Sequence, residues 1–163
     1  MATPDSPNFE AGTMMAVKGD VSQIASAIAP YPQVAIANFN SPQQAVLAGS
    51  KAAIAKVEKV LTAQGYSPVL LPVSAAFHTP LVAHAQKPFA QAIEAVTFKK
   101  PKIPVYTNVT GNPYPSDSQS IKKVLKEHLL NRVLFQQEIE NIYDRGGYCF
   151  VEFGPRSILT NLV

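Results

Sequence analysis

The residue with the clearest potential for chemistry is His78, which follows a strand-like run of apolar residues at 69–73. Small residues and an aromatic side chain separate this run from the histidine, and Pro80 can then open a helix. A side chain at such a strand-to-helix junction points into the cleft at a sheet edge, where general bases are often found. Because a lone histidine is more often structural, the surrounding sequence has to decide between the two roles.

Composition favours a globular protein without metal ions or disulfide bonds. The chain has 163 residues, of which 47% are hydrophobic and 15% are charged, so it can bury one core, or a small domain plus part of a second. Three scattered histidines and the single Cys149 offer no metal-ligand spacing and no disulfide pair, which suits a reducing, cytoplasmic compartment. Neither a run of about 18 apolar residues nor a signal-peptide pattern is found, so we expect no membrane association.

The first half of the chain predicts strands and helices that can bury a small core. We assign strands to residues 14–18, 34–37, 44–48 and 66–73, and helices to residues 21–29 and 51–64. Asp20 and Ser50 are suited to cap the two helices at their N-termini, and Gly65 is suited to end the second. With a turn at 38–42, this order is the ferredoxin-like βαββαβ arrangement.

The second half predicts longer helices and only two strands. We assign helices to residues 80–96, 120–143 and 157–163, and strands to residues 102–109 and 148–153. Pro88 should strain the first helix, the second should be interrupted near Asn131, and Cys149 should lie in a buried strand. Two strands do not complete a doubly wound sheet. We therefore expect the missing strands to come from a segment outside this chain, or this half to be poorly ordered alone.

Four sequence blocks occur in a fixed order along the chain. They are Asn-Phe-Asn-Ser-Pro with a following strand that ends in Ala-Gly-Ser (38–50), Leu-Pro-Val-Ser with Phe-His (71–78), Val-Glu-Phe-Gly-Pro (151–155) and Ile-Leu-Thr (158–160). Together they resemble the malonyl-CoA:acyl carrier protein transacylases and the acyltransferase domains of polyketide, fatty-acid and polyunsaturated-fatty-acid synthases. Each block alone is weakly specific, but four blocks in the family order are a specific signal.

The resemblance extends from about residue 12 to the last residue and implies a mixed α/β (α+β) fold. In that family a ferredoxin-like subdomain is inserted into a larger α/β-hydrolase-like core. We therefore expect a loop or tail at 1–12, the ferredoxin-like subdomain at 13–74, and the C-terminal portion of the acyltransferase core at 75–163. The periodicity of the first half and the resemblance lead independently to the same small subdomain.

The resemblance also implies acyl transfer through a serine ester, yet the nucleophile motif is missing from these residues. Family members carry the serine in a Gly-His-Ser-x-Gly elbow after a Gly-Gln-Gly-Ser loop, and an arginine after the elbow binds the malonyl carboxylate. No Gly-x-Ser-x-Gly pattern occurs in this sequence. We therefore expect an incomplete acyltransferase that is inactive alone, with its serine outside this chain.

Three residues receive roles by the resemblance, and a fourth, Asn40, is a candidate from its position alone. His78 would be the general base that serves the serine and then the incoming thiol. His128 lies in a Glu-His-Leu triplet where the family has Arg-Gln-Leu or Arg-His-Leu, so its main-chain carbonyl would orient His78. In the family, a phenylalanine directly before the base, here Phe77, is associated with selectivity for malonyl over methylmalonyl groups. Asn40 could line the substrate cleft, although asparagine in a tight connection more often serves the turn itself.

The implied substrates are malonyl-CoA and the phosphopantetheine thiol of an acyl carrier protein, with no bound cofactor. The net charge of +3 is modest, and the basic clusters at 99–102 and 122–126 are explained by a solvated surface. Attraction of an acidic carrier protein or of coenzyme A phosphates is the alternative. Aromatic residues do not alternate with the basic ones as base-stacking platforms would, so we expect no nucleic-acid partner.

Two non-enzymatic interpretations remain open. One is a free-standing ferredoxin-like binding or interaction module, for which RNA is disfavoured because the strands at 34–37 and 45–48 carry no aromatic residue. The other is a scaffold with a decayed active site. If the sheet of the second half is incomplete, the chain would have exposed apolar surface and an unpaired strand edge, which favour self-association.

Overall fold

The computed structural model describes residues 10–163, and the first half of these residues forms a four-stranded antiparallel sheet. The elements of this half are β1 (Thr13–Lys18), α1 (Val21–Ile28), β2 (Val34–Ser41), β3 (Gln44–Gly49), α2 (Lys51–Ala63) and β4 (Val69–Leu70). The strand order in the sheet is β2-β3-β1-β4, with β1 paired to β3 over its whole length. The predicted order of the first six elements is confirmed.

Both faces of this sheet are covered, which explains why its strands are almost continuously apolar. Alternate residues of the strands pack with helices α1 and α2 into one core cluster; its fully buried members include Met15, Val17, Ile24, Leu47, Ile54 and Leu61. The intervening strand residues form a second cluster on the opposite face. That cluster consists of Met14, Ala37, Val46, Ala48 and Ala76, with Phe77 and Leu81 packed against it. The segment that carries His78 is therefore anchored on the sheet.

The second half consists of helices with one small hairpin. Its elements are a 3-10 helix (Pro80–Ala85), α3 (Gln86–Glu94), β5 (Tyr106–Thr107), β6 (Asn112–Pro113), α4 (Ser118–Glu127), α5 (Phe135–Asp144) and a terminal 3-10 helix (Thr160–Leu162). Helices α3 and α4 are held together by Glu94, whose carboxylate contacts both Lys122 and Lys126. Lys122 is buried, so our assignment of this basic cluster to a solvated surface is wrong for that residue.

The connection between α4 and α5 joins the two halves. Val133 forms a parallel bridge with Asn38 at the free edge of β2. The Val133 N–H donates to the Ala37 carbonyl at 2.8 Å, and the Phe39 N–H donates to the Val133 carbonyl at 2.8 Å. The guanidinium of the preceding residue, Arg132, lies over the Phe39 ring. These contacts fix the residues after α4 against the sheet.

The β2–β3 connection differs from the prediction. We expected a turn over 38–42, but β2 continues to Ser41, and only Pro42 and Gln43 form the turn. Proline fixes φ near the value that the first central position of a tight turn requires. Two register shifts in β2 accompany the bridge to Val133, so a tertiary contact extends the strand beyond its apolar run.

Three predicted strands are shorter than expected or wrong. The strand at 66–73 is reduced to Val69–Leu70, and the strand at 102–109 is reduced to Tyr106–Thr107. Residues 148–153 form no strand, Cys149 is exposed rather than buried, and Phe153 is 94% exposed. An apolar run becomes a strand only where a neighbour completes its hydrogen bonds, and residues 10–163 provide no neighbour for the last segment.

The helices agree with prediction more closely, apart from the region around Pro88. The predicted helix at 80–96 is divided into a 3-10 helix and α3, which begins at Gln86. Pro88 is thereby placed in the first turn of α3, where its missing N–H costs no internal hydrogen bond. The long region at 120–143 is interrupted around Asn131 as expected, whereas the terminal helix is only the short Thr160–Leu162 turn.

None of the helices within residues 10–163 combines the length and the apolar character that crossing a membrane would require. Over the same residues, no three or more His, Cys, Asp or Glu side chains are grouped in a way that could hold a metal ion.

Gly12 provides a test of how tightly the His78 segment is packed on the sheet. Its φ is +74°, and an added Cβ would lie 2.5 Å from the Gly49 carbonyl oxygen and 2.7 Å from the Ala76 Cβ. We expect Gly12→Ala to lower the free energy of unfolding by about 2 kcal/mol or more, since backbone strain and overlap add. The measurement is urea unfolding of the purified chain.

Gly65→Ala is the matched control for this prediction. Gly65 also has a positive φ of +89°, but no atom lies within 4 Å of the position of its added Cβ. Gly65→Ala should therefore lower the free energy of unfolding by only about 1 kcal/mol, through backbone strain alone. Equal losses in the two variants would contradict the packing argument at Gly12.

Candidate active site

The backbone of His78 adopts a left-handed conformation with φ of 63°, which is uncommon for a residue other than glycine. It follows the buried pair Ala75 and Ala76, and the next residue, Thr79, donates its hydroxyl to the Ala76 carbonyl at 2.6 Å. The His78 N–H donates to the Leu129 carbonyl at 3.2 Å. Such conformations cost free energy and occur frequently at functional sites.

The His78 ring is held by two main-chain carbonyls. Its Nδ1 lies 3.0 Å from the His128 carbonyl oxygen and 2.9 Å from the Asn131 carbonyl oxygen. Because a carbonyl oxygen can only accept, Nδ1 must carry the proton and donate it to both. In the neutral ring Nε2 then has a free lone pair, and within residues 10–163 it makes no hydrogen bond. This is the tautomer that a general base requires.

The carbonyls of His128, Leu129 and Asn131, which we call the carbonyl cradle, belong to the turn at the C-terminal end of α4. His128 is the C-cap residue of that helix. The Glu127 carbonyl accepts from the N–H of Leu130 and of Asn131, and from the Asn131 side-chain amide at 2.9 Å. This tight turn presents the three carbonyls to His78. The negative end of the helix dipole lies at the same position.

His78 lines a cleft of about 440 Å³ between the sheet and the α4–α5 connection. The other lining residues are Ala35, Ile36, Thr79, Pro80, Val109, Leu130, Asn131, Arg132 and Leu134. His78 itself is partly exposed, so its ring is accessible to a small group entering the cleft. Arg132 supplies a positive charge to a cleft that is otherwise mostly apolar.

The other two predicted site residues lie elsewhere. Phe77 packs against the sheet cluster that contains Met14 and Ala76, and it is not among the residues that line the His78 cleft. Asn40 lies in β2 and donates its amide to the Gln44 side chain at 2.9 Å across the hairpin. It does not line the cleft either. The fold thus places the His78 ring beside the His128 carbonyl, while the catalytic roles of these two residues and the substrate contacts of Phe77 and Asn40 stay predictions.

Behind the carbonyl cradle, the His128 side chain enters a polar cluster that the sequence did not indicate. Its Nε2 lies 2.9 Å from the Thr107 hydroxyl oxygen and 2.8 Å from the Tyr114 hydroxyl oxygen. Burial lowers the pKa of His128, and the nearby His78 lowers it further; both effects favour the neutral form of this ring. Burial raises the pKa of Tyr114, opposed by its hydrogen bond with Thr107 and assisted by the charge of Glu138.

Glu138 is the most perturbed acid of the described residues. It lies on α5, it is only 9% exposed, and burial raises its pKa from 4.5 to about 7. The signal in the sequence is an acid within an apolar stripe, because Glu138 follows Phe135 by three positions and precedes Ile142 by four. The family resemblance indicated the His128 carbonyl, but the sequence carries no comparable signal for the Leu129 and Asn131 carbonyls, since a carbonyl contact does not depend on the side chain.

Comparisons with known proteins show the family to which this chain belongs. The family described as "Acyl transferase domain" matches residues 6–163. This chain belongs to the acyl transferase domain family. It is 34% identical to a polyunsaturated fatty acid synthase polypeptide of Thraustochytrium sp. over 100% of the chain and 6% of that protein. It is 32% identical to the malonyl CoA-acyl carrier protein transacylase of Synechocystis sp. over 93% of the chain and 51% of that enzyme.

A solved structure gives the same result at the level of the fold. It is a malonyl-transacylase in complex with a type II polyketide synthase acyl-carrier protein. It matches with a TM-score of 0.86 at 31% identity, over 96% of this chain and 52% of that one. The chain is therefore a mixed α/β protein that matches part of these acyltransferase structures, and it spans about half the length of the discrete transacylases that it matches.

The raised pKa of Glu138 predicts a pH-dependent stability for this chain. Because its pKa is higher in the folded state than in the unfolded state, its contribution is fully present below about pH 4.5 and is lost as the pH rises through about 7. We expect Glu138→Gln to raise the free energy of unfolding by about 1–3 kcal/mol at about pH 8 and to change it little at about pH 4. Urea unfolding across this range is the measurement.

Glu140→Gln on the same helix is the control, since Glu140 is exposed. It should leave the pH dependence of stability as it is in the wild type. A stability difference between Glu138→Gln and wild type that is the same at both pH values would show that Glu138 ionises normally in the folded chain.

Proposed function

We propose that this chain supplies the general base of a malonyl-CoA:acyl carrier protein transacylase-type domain whose nucleophilic serine lies outside these residues. The observation that carries the proposal is the tautomer of His78, with the Nδ1 proton held by two carbonyls and Nε2 unbonded on a ring that lines a cleft. A purely structural histidine would be expected to use both ring nitrogens.

In the first half of the reaction, Nε2 of His78 accepts the serine hydroxyl proton while the serine oxygen attacks the thioester carbonyl of malonyl-CoA. The tetrahedral intermediate collapses, the carbon–sulfur bond breaks, and the departing thiolate takes the proton back from Nε2. In the second half, Nε2 accepts the proton of the phosphopantetheine thiol, whose sulfur attacks the serine ester. The serine oxygen leaves and recovers the proton.

The carbonyl cradle performs the task that a buried carboxylate performs in other triads. When Nε2 is protonated, the ring becomes a cation that donates from Nδ1 to the His128 and Asn131 carbonyls. These carbonyls lie at the C-terminal end of α4, where the helix dipole stabilises a positive charge by about 0.3–1 kcal/mol. No acidic partner for His78 is therefore needed.

We propose the same division of the chain that the sequence predicted, with a ferredoxin-like subdomain at 13–74 and the C-terminal part of an acyltransferase core at 75–163. The sheet order β2-β3-β1-β4, with a helix after β1 and another after β3, supports the first assignment. The exposure of Ile103, Val151 and Phe153 supports the assignment of 75–163, because a larger core would cover these side chains. In the isolated chain this surface favours self-association.

The proposed substrates are malonyl-CoA and a phosphopantetheine thiol on an acyl carrier protein. The malonyl-transacylase that shares this fold was solved with its acyl-carrier protein, which supports a carrier-protein partner for this chain as well. The coenzyme A thioester is consumed as a substrate, so the proposal includes no resident cofactor.

His78→Ala tests the proposed base in a protein that joins this chain to a segment containing the serine elbow. We expect kcat/KM for malonyl transfer to fall by about 100- to 10,000-fold, because the serine and thiol protons lose their acceptor. Transfer is measured by mass spectrometry of the malonylated carrier protein. His84→Gln is the control, since this second histidine does not line the cleft; near-normal transfer by His78→Ala would refute the base assignment.

The 163-residue chain alone gives a complementary arm of this experiment. Incubated with malonyl-CoA, it should gain no malonyl mass, because the proposed nucleophile is absent. A stable malonyl adduct on a serine of this chain would disprove the proposal that the serine lies elsewhere.

Phe77→Ser tests the proposed selectivity in the joined protein. Replacing a ring beside the base with a small side chain should improve methylmalonyl relative to malonyl transfer by about tenfold or more, a difference of about 1–3 kcal/mol. Competition between the two coenzyme A thioesters measures the ratio. Phe89→Ser, on the exposed face of α3, is the control. An unchanged ratio in Phe77→Ser would remove Phe77 from the acyl pocket.

A further inference from the structure

The polar cluster behind the carbonyl cradle holds one of the two groups that orient His78. The main chain of His128 accepts from the His78 ring, while the His128 side chain is bound at Nε2 by the Thr107 and Tyr114 hydroxyls. His128 therefore links His78 to Thr107 and Tyr114. Among the described residues, neither of these two side chains forms a hydrogen bond with His78.

The two hydroxyls are themselves fixed. Thr107 is 1% exposed and lies in β5, where its hydroxyl also accepts from the Val109 N–H at 3.3 Å. Tyr114 directly follows β6, and its N–H donates to the Val105 carbonyl at 2.7 Å. Both side chains are thus presented by the β5–β6 hairpin, which is a rigid support for the His128 ring.

The same hairpin also holds the other end of the cradle segment. The Leu134 N–H donates to the Asn108 carbonyl at 2.9 Å, three residues after Asn131. The segment from His128 to Leu134 is therefore attached to the hairpin at its start through a side chain and at its end through the backbone. Without the attachment at its start, the segment would be attached to the hairpin only at Leu134, six residues after His128.

The ring geometry supports a fixed orientation of His128. The Tyr114 and His128 rings are nearly parallel, with an interplanar angle of 4° and centroids 6.2 Å apart. Two hydroxyls that converge on one nitrogen restrict rotation about the side-chain bonds of His128 more than one would. This restriction is transmitted to the backbone because the residue is the C-cap of α4.

We infer that Thr107 and Tyr114 are positioning residues for His78, acting through the His128 side chain on the carbonyl that accepts the Nδ1 proton. The inference rests on the proposed function for its catalytic consequence, but not for its structural content. If the hydroxyls are removed, the His128 carbonyl should move, and His78 should become a mixture of the Nδ1–H and Nε2–H tautomers. Part of the His78 population would then carry its proton on the nitrogen that has to accept one.

The first experiment measures the tautomer directly and needs no acyl transfer. Long-range ¹H–¹⁵N spectra of the 163-residue chain, labelled at histidine nitrogen, report the Nδ1–H and Nε2–H populations of each ring. We expect His78 of the wild type to be almost entirely Nδ1–H. In Tyr114→Phe and Thr107→Val the Nε2–H form should rise severalfold, whereas Thr107→Ser, which keeps a hydroxyl, should restore the wild-type ratio.

Tyr143→Phe is the matched control for removal of a tyrosine hydroxyl, because Tyr143 is 57% exposed and lies on α5 away from the cluster. It should keep the wild-type tautomer ratio. If Thr107→Val fails to fold because Thr107 is buried, the tautomer ratio of Tyr114→Phe alone tests the inference. Wild-type tautomer ratios at His78 in the folded Tyr114→Phe variant would overturn the inference.

The second experiment measures the catalytic consequence in the protein that also contains the serine segment. We expect Tyr114→Phe to lower kcat by about tenfold and to leave KM within about twofold, because orientation of the base affects the transition state more than substrate binding. Loss of kcat with a changed tautomer ratio supports the inference. A changed ratio with unchanged kcat would show positioning without catalytic use, and so would contradict the proposed function but not the positioning.

Discussion

A single proton shared between two main-chain carbonyls holds the candidate site together. It fixes the His78 ring, assigns its tautomer and leaves Nε2 available in the cleft. Carbonyl oxygens are acceptors only, so the assignment follows from their chemistry and not from an adjustable side chain. A carboxylate in the same place would also accept the proton, but it would bring a full charge that has to be desolvated. The turn after α4 orients the His78 ring with backbone carbonyl dipoles and introduces no such charge.

Both halves of the chain contribute to this interaction. The first half supplies the surface on which Ala76 and Phe77 pack, and the second supplies the cradle. The bridge between Asn38 and Val133 joins the two, and it places the residues after α4 beside the segment that contains His78. The left-handed backbone of His78 is compatible with this arrangement because its N–H and its ring are both bound by the same turn. Local strain is thus offset by contacts that only the assembled chain provides.

The parts of the fold that were predicted correctly depend on short-range patterns. Helices α1 and α2 have capping residues, apolar stripes and clear ends, and both are found within one residue of the predicted bounds. The strands of the sheet are apolar runs whose partners all lie within residues 13–70. By contrast, the predicted strand at 102–109 pairs with β6 at only two residues, and the predicted strand at 148–153 has no partner among residues 10–163. The apolar pattern alone could not show where partners are present. Pairing is a property of two segments, whereas apolarity is a property of one.

The candidate site also has features that the sequence indicated and features that only the folded chain revealed. Residue types and their order indicated a histidine after an apolar, strand-like run and motifs that resemble those of acyltransferases. That resemblance implied that the His128 carbonyl lies beside His78. The folded chain was needed to reveal that the Asn131 carbonyl is the second acceptor, that Thr107 and Tyr114 hold the His128 ring, and that Glu138 is buried. The physical reason is that backbone carbonyls are present in every residue and polar side chains are common, so their roles arise from their positions in space and leave no mark on residue type.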